Sequence, residues 1–422
     1  MLAVRGGESI RKRPWISWPI FDNNTLSRLE SVLTSGRWAV SGQWKGRLSK
    51  CEEFERKFAE FNSVPYCVTT TNGSSGLLIA LESLGIGPGD EVIVPALTWV
   101  ATAISVCDVN AVPVIVDIDP DTYCLSIEEV KKAITPRTKA IIPVHLYGCM
   151  VNMDGLMEVA RNNNLWVIED ASHSHGSVWR DQFAGAIGDA GAFSLQQGKV
   201  LTSGEGGVLL TRNQEIYEKA IELRSNSRAY IEENKLEVDK MQLIEKGSIM
   251  GSNYCLSEFQ AAVLLDQLER LEDFNRTKEQ NAIYLDKHLG SIPGIKTMLR
   301  HEQVSKQSYY RYAVKVDSEL FSGKPVSDIC TALEAELNFT VEQPYKPLHK
   351  SPLYRPQTKK RYRWSEEFWD ALSTEKYSLP VSEKASANEG VVIHHSILLG
   401  SRQDMDDIIM AFEKVHRYSH KI

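Results

Sequence analysis

The chain has 422 residues, 42% hydrophobic and 24% charged, with 48 Lys and Arg against 55 Asp and Glu and a formal net charge of −7. That length and apolar content suffice for two globular domains with buried cores, and they exclude collagen-like, low-complexity and wholly disordered chains. The mild acidity argues against a nucleic-acid partner, and no run approaches the roughly eighteen apolar residues of a membrane span.

Met1 to Trp15 carries Arg5, Arg11, Lys12 and Arg13 with no apolar stretch after them, so no secretory leader is expected. Seven cysteines, an odd number with no two within four residues, fit neither a disulfide framework nor a zinc knuckle, and a reducing cytoplasm is the expected setting. From Val64 to Asp170 short apolar runs alternate with helical periods. The runs at 66–68, 91–94, 112–116, 139–144 and 165–168 are almost continuously apolar, as strands covered on both faces must be. Helices are predicted between them over 75–84, 99–109, 127–134 and 153–162. This alternation predicts an α/β fold, a mostly parallel sheet sandwiched by helices. Short strands at 190–195 and 207–211 flank a glycine-rich turn, and a helix is predicted over 214–224. Leu256, Phe259, Val263, Leu268 and Leu271 fall at helical spacing and predict a long connecting helix that continues through 281–289. We therefore expect a large domain over 1–250, including the N-terminal segment, and a connecting helix with a smaller α+β domain over 251–422.

Three positions along this pattern can carry chemistry. Thr69 to Gly76 lies where a strand ends and an apolar helix begins, so its backbone N–H groups can cradle an anion, with Ser74 and Ser75 adding hydroxyls. An N-capped turn has the same composition. Glu169-Asp170 closes the last apolar strand, on the edge where open α/β sheets place ligands. A carboxylate there can hold the proton of a ring nitrogen and make the ring an electron sink, or it can simply cap a loop. Lys199 sits between a strand and the glycine-dense turn, where a deprotonated amine can condense with an aldehyde cofactor. A solvated lysine before a hairpin is the plainer reading. Trp99 begins a helix at another strand end and can stack on a flat cofactor or fill the core. The pairs His173/His175 and His394/His395 lack an evident carboxylate partner, so no metal is expected.

Taken in chain order, an anion-type turn, an aromatic residue, an acid and a lysine fall at successive strand ends. That order resembles the fold-type I pyridoxal-phosphate enzymes, and more narrowly the DegT/DnrJ/StrS family of sugar and cyclitol aminotransferases. The resemblance runs from about Trp18 to about Ala411. It is carried by Gly87-Pro88-Gly89-Asp90-Glu91-Val92-Ile93-Val94-Pro95, Pro143-Val144-His145-Leu146-Tyr147-Gly148, Ile168-Glu169-Asp170-Ala171, Gly188-Asp189 with Phe193-Ser194, the stretch Lys199 to Gly207, and Gly251-Ser252-Asn253-Tyr254 before Ser257-Glu258.

The resemblance implies that Lys199 holds pyridoxal 5'-phosphate and later moves the proton, and that Asp170 pairs with the pyridine nitrogen. Gly73, Ser74, Ser75 and Ser194 would bind the phosphate and Trp99 would stack on the ring. Asn253 would reach the phosphate of the neighbouring subunit, making a homodimer with shared active sites. His173 stands where many members carry Gln, within reach of the cofactor's phenolic oxygen, and an imidazole can donate that hydrogen bond too. Cys255 stands where many carry Arg. Gln196 to Thr202, Ser41-Gly42 after Trp38, and Val392-Ile393-His394-His395 look most like the glutamine-dependent inosose aminotransferases of aminoglycoside biosynthesis. The expected substrates are then L-glutamine and a keto-cyclitol, 2-deoxy-scyllo-inosose or scyllo-inosose. Such an uncharged polyol calls for a lining of hydrogen-bonding side chains, for which His145, Tyr147, Gln197 and His349 are the candidates. The rival reading is a nucleotide-linked keto-sugar or an aminobenzoate-type product. A nucleotide would draw on the basic cluster Lys359, Lys360, Arg361 and Arg363. A dehydratase of this architecture would carry histidine in place of Lys199, and a non-catalytic homologue would lack Lys199 or Asp170.

Overall fold

In the computed structural model, which describes residues 1–231, 233–359 and 365–422, a central sheet has seven strands. Their spatial order is Tyr66–Thr70, Gly207–Thr211, Ala190–Ser194, Trp166–Asp170, Thr138–Ile141, Glu91–Pro95 and Val112–Val116. The five from Ala190–Ser194 to Val112–Val116 run parallel, and Gly207–Thr211 is antiparallel to both its neighbours. The near-continuous apolar runs follow from burial on two faces. Val92, Val94, Ala140, Ile168 and Leu209 enter one apolar cluster, while Ile93, Ile141, Val167, Val208 and Leu210 enter the other. Each residue in alternation thus buries its side chain, at about 1.5–3 kcal/mol for a Val, Ile or Leu.

The helices Gly73–Ser83, Ala101–Asp108, Ile127–Ala133, Met153–Asn162 and Gln214–Arg224 lie where the periodicity predicts them, within two residues at their ends. The predicted connecting helix is continuous over Glu258–Leu289, 32 residues, started by a capping box between Ser257 and Gln260. Beyond it, Ile295–Thr297, Arg311–Val316, Gly390–His394 and Val341–Glu342 form an antiparallel sheet in that order. Tyr312, Val314, Val391 and Ile393 pack there with Ile329, Leu333, Ile408 and Phe412 in a third apolar cluster.

The N-terminal segment departs from expectation. It packs on this C-terminal part: Leu2 is buried in the third cluster, Arg11 pairs with Asp404 and Asp407 at 2.5 and 2.7 Å, and Trp15 Nε1 donates to the Leu337 carbonyl at 2.8 Å. A buried guanidinium held by two carboxylates outweighs mere sequence proximity to the first strand. Among the described residues, no helix is long and apolar enough to cross a membrane.

Candidate active site

At the C-terminal ends of the parallel strands lies a cavity of about 590 Å³, lined from the central sheet by Gly73, Ser74, Thr98, Trp99, Asp170, His173, Ser194 and Lys199. Strand alternation separates the two adjacent acids. Asp170 turns to the cavity, its Oδ2 accepting from Thr102 Oγ1 at 2.9 Å and its Oδ1 from the Ser172 N–H at 3.2 Å. Glu169 turns the other way and is fully buried, accepting from the N–H groups of Gly185, Ile187 and Gly188 at 2.7–2.9 Å. Of these two acids, Asp170 is therefore the one that faces the cavity.

Lys199 rides on the loop between the antiparallel strands Ala190–Ser194 and Gly207–Thr211. That loop is pinned from behind. His394 Nε2 and His395 Nε2 lie 3.1 and 3.3 Å from the Gly198 carbonyl, and Trp18 Nε1 donates to the Gln197 carbonyl at 2.9 Å. The lysine is buried, with its Nζ 4.1 Å from the centroid of the Tyr310 ring. Burial, joined by the charge of Arg311, holds its amine below the usual lysine range, against the opposing pull of Tyr310 and Asp170. A larger share of the amine is thus neutral, the form that acts as nucleophile or base.

His173 stacks on the same tyrosine at 4.0 Å with a 21° tilt. Its Nδ1 accepts from the Tyr147 N–H at 3.3 Å. Burial, and then the charge of Lys199, press its pKa well below the ordinary histidine value, so the ring is neutral and its proton sits on Nε2. Trp99 is half exposed at the mouth, 5.7 Å from Tyr345.

The anion cradle is built by close approach of backbone. Gly207 stands against the start of the helix Gly73–Ser83, where a Cβ would meet the Asn72 carbonyl carbon at 2.2 Å; a Cβ on Gly73 would stand 3.0 Å from Ser194 Cβ. Asn72 Oδ1 caps the Ser75 N–H at 2.8 Å, and the Gly73 and Ser74 N–H groups precede the first intrahelical bond.

Other candidates fall outside the cavity lining. The Ser75 hydroxyl donates to the Asn72 carbonyl at 2.8 Å and accepts from the Asn72 N–H at 3.2 Å, so it braces the helix start. His145 is fully buried with Nε2 2.9 Å from Glu169 Oε2, a structural pair, and not a wall of the site. Tyr147 is buried and its hydroxyl accepts from the Tyr345 N–H at 3.1 Å. Gln197 is exposed, and His349 pairs with Glu383 at 2.9 Å. Asn253 is exposed, its Oδ1 accepting from the Cys255 N–H at 3.2 Å. In the basic cluster, Lys359 pairs with Asp108 at 2.9 Å, while Lys360, Arg361 and Arg363 lie outside the described residues.

Sequence reasoning missed the wall supplied by the C-terminal sheet, namely Tyr310, Arg311, Glu342 and Tyr345, together with Gln196 and Glu205. Only an aromatic-basic pair opening a strand, Tyr310-Arg311, marked it. Burial works to raise the Tyr310 phenol, but the charges of Lys199 and Arg311 outweigh it and hold the group below its ordinary value.

The model of the DegT/DnrJ/EryC1/StrS aminotransferase family matches residues 19–397. An L-glutamine:2-deoxy-scyllo-inosose aminotransferase from Streptomyces fradiae is 43% identical over 99% of this chain and 98% of its own. An L-glutamine:scyllo-inosose aminotransferase from Streptomyces griseus is 41% identical over 98% and 97%. The crystal structure of 3-amino-5-hydroxybenzoic acid synthase superposes with a TM-score of 0.80 at 28% identity, covering 96% of this chain and 99% of that one. With an amine and an acid converging on one cavity and a match over nearly the whole length, the chain belongs to the DegT/DnrJ/EryC1/StrS aminotransferase family.

Proposed function

We propose that this enzyme is a pyridoxal 5'-phosphate-dependent aminotransferase that moves the amino group of L-glutamine to a keto-cyclitol, 2-deoxy-scyllo-inosose or scyllo-inosose, in aminoglycoside biosynthesis. It works as a cytoplasmic homodimer. The observation that carries the reading is the approach of Lys199 and Asp170 to one cavity whose rim is a helix start that only glycine permits. Those residues fit the cofactor: Gly73, Ser74 and Ser194 would hold its phosphate, Trp99 would flank its ring, and His173 Nε2–H would donate to its phenolic oxygen. When bound, the cofactor supplies an aldehyde and an electron-accepting ring.

This chain's own residues do the rest. Asp170, oriented by Thr102 and Ser172, holds the proton on the ring nitrogen. The Lys199 amine, kept partly neutral by its dry surroundings, takes the Cα proton of the amino donor and returns a proton during the acceptor half. Tyr310 and His173 wall the amine from bulk water. Gln196, Glu205 and Tyr345 offer hydrogen bonds to a polyhydroxylated ring, and a site built around hydroxyls rejects analogues without them.

Identity above 40% to inosose enzymes along the whole chain, against 28% to the aminobenzoate-forming one, favours a cyclitol over an aromatic product. The test is purified protein with pyridoxal phosphate, L-glutamine and either inosose, following the cyclitol amine by mass. Formation of that amine is expected; turnover of a nucleotide keto-sugar with no inosose product would overturn the assignment.

A further inference from the structure

The two substrates of this reading differ in charge at the reacting centre. An amino acid brings an α-carboxylate on the same carbon as its amine, whereas a keto-cyclitol brings none. One site must therefore satisfy an anion in one half of the cycle and do without it in the other.

Beside Lys199, Arg311 is the only Lys or Arg among the described residues lining the cavity. It opens the strand Arg311–Val316 and pairs in register with His394, while Glu342 pairs with Val392 from the other side of the strand Gly390–His394. Those partners are two positions apart on one strand, so Arg311 and Glu342 share one face of the sheet, the face that closes the cavity. There they form an ion pair, Arg311 Nη1 to Glu342 Oε2. The burial is unequal: the arginine side chain is 17% exposed and the glutamate 48%. The guanidinium carbon lies 5.5 Å from the centroid of the Tyr310 ring, the ring that Lys199 Nζ approaches to 4.1 Å. One tyrosine thus stands beside both the reacting amine and the paired guanidinium, which places that cation within an amino acid's length of the chemistry.

On the strength of the proposed donor and acceptor, we propose that Arg311 binds the α-carboxylate of the amino donor and that Glu342 is its exchangeable counter-ion. The carboxylate of L-glutamine takes the guanidinium in the donor half, and Glu342 turns out to solvent. When the uncharged polyol occupies the site, Glu342 returns. The division of roles follows from exposure. An arginine left unpaired in a partly dry wall is costly, so it needs an anion at every stage. The half-exposed glutamate can be rehydrated with little penalty, while the planar guanidinium can bind a carboxylate through two N–H groups. Glu342 also sets specificity, because any donor must displace it with a carboxylate of its own.

The test uses two unreactive probes on the cofactor-loaded enzyme by calorimetry: glutaramate, which is glutamine without its α-amino group, and scyllo-inositol, the acceptor ring without its ketone. Arg311→Gln is expected to weaken glutaramate by at least about tenfold, the loss of one charge-assisted pair, and to leave scyllo-inositol within about twofold. Arg311→Lys recovers part of that loss. Glu342→Gln moves the other way and tightens glutaramate, because the competing anion is gone. In turnover, Arg311→Gln raises the KM for L-glutamine and spares that for the ketone. Equal glutaramate affinity in wild type and Arg311→Gln, with wild type still consuming L-glutamine, overturns the anchor. Weaker glutaramate binding in Glu342→Gln overturns the counter-ion. Wild type that does not use L-glutamine at all removes the functional reading and this proposal with it. Should Arg311→Gln fail to fold, the Arg311→Lys and Glu342→Gln arms decide.

Discussion

A neutral imidazole has one donor and one acceptor, and at His173 the acceptor is assigned by geometry. Nδ1 takes the Tyr147 N–H, so Nε2 carries the remaining proton, on a ring that lines the cavity where the cofactor's phenolic oxygen is proposed. A glutamine side chain offers the same two functions, with its carbonyl toward Tyr147 and its NH2 outward. We predict that His173→Gln keeps most of kcat/KM for L-glutamine, whereas His173→Leu, which loses the donor, falls by about tenfold, the worth of one such hydrogen bond. Steady-state kinetics at saturating cofactor decide it; equal losses in the two variants would remove the donor role. At this scale the sequence was readable where a residue's chemistry is scarce. Lys199 and Asp170 stand at strand ends, and both reach the cavity. His145 stands at a strand end too, but its partner Glu169 is 24 residues away, and nothing local says that the pair seals the core.

The loop carrying Lys199 owes its shape to imidazoles that must stay uncharged. His175 Nε2 bonds the Ser194 carbonyl at 3.0 Å at one end, and His394 and His395 bond the Gly198 carbonyl in the middle. Burial, with help from Lys199, lowers the His175 pKa to about 3. Burial lowers that of His394 to about 4, and that of His395 falls well below the ordinary value. In the unfolded chain each would titrate near about 6.5. Folded values below unfolded ones mean that the stability is full above about pH 6.5. It is lost as the pH falls toward the folded values, by up to about 1.4 kcal/mol per pH unit for each ring, because the unfolded chain takes protons the folded one refuses. His394→Gln retains a neutral donor for the Gly198 carbonyl and removes one titration. Thermal melts between about pH 4.5 and 7 should therefore show a shallower acid slope for the variant than for wild type. Parallel slopes would show that His394 is not among the groups responsible. At the level of elements, the strands of the central sheet could be read because each is covered on both faces and so continuously apolar. The C-terminal wall could not. Val341–Glu342 is a strand of two residues beside Pro344, too short to show any period, and the one mark on Tyr310, the arginine that follows it, does not say that it leaves the third core where Tyr309 and Tyr312 pack.

At the scale of the whole molecule, one predicted contact has no place within a single chain. Asn253 is assigned to the cofactor phosphate by family resemblance, yet here its side chain is exposed, bonds only its own backbone neighbourhood at Cys255, and does not line the cavity of its own protomer. Met250, three residues before it, is an apolar side chain 92% exposed, which a second copy would cover. The homodimer proposed above would account for both observations, since an isologous interface that brought this segment to the partner's helix start at Gly73 would do so twice. The arrangement can be tested by mixing. Lys199→Ala and Asn253→Ala are each expected to be inactive as homodimers, since every site in either lacks one of the two residues. In a heterodimer, the Asn253→Ala chain contributes Lys199 to one site and the Lys199→Ala chain contributes Asn253 to that same site, leaving the second site doubly deficient. An equimolar mixture that exchanges freely is half heterodimer with one good site in two, so about a quarter of wild-type activity should return. Differently tagged subunits, purified through both tags, make the heterodimer content measurable and raise the expected recovery to about half. Verified heterodimers with no activity, or an Asn253→Ala homodimer as active as wild type, would confine the site to one chain. Recovery at the predicted fraction would make dimerisation a condition of catalysis, and dilution below the dimer's dissociation constant should then abolish turnover in wild type as well.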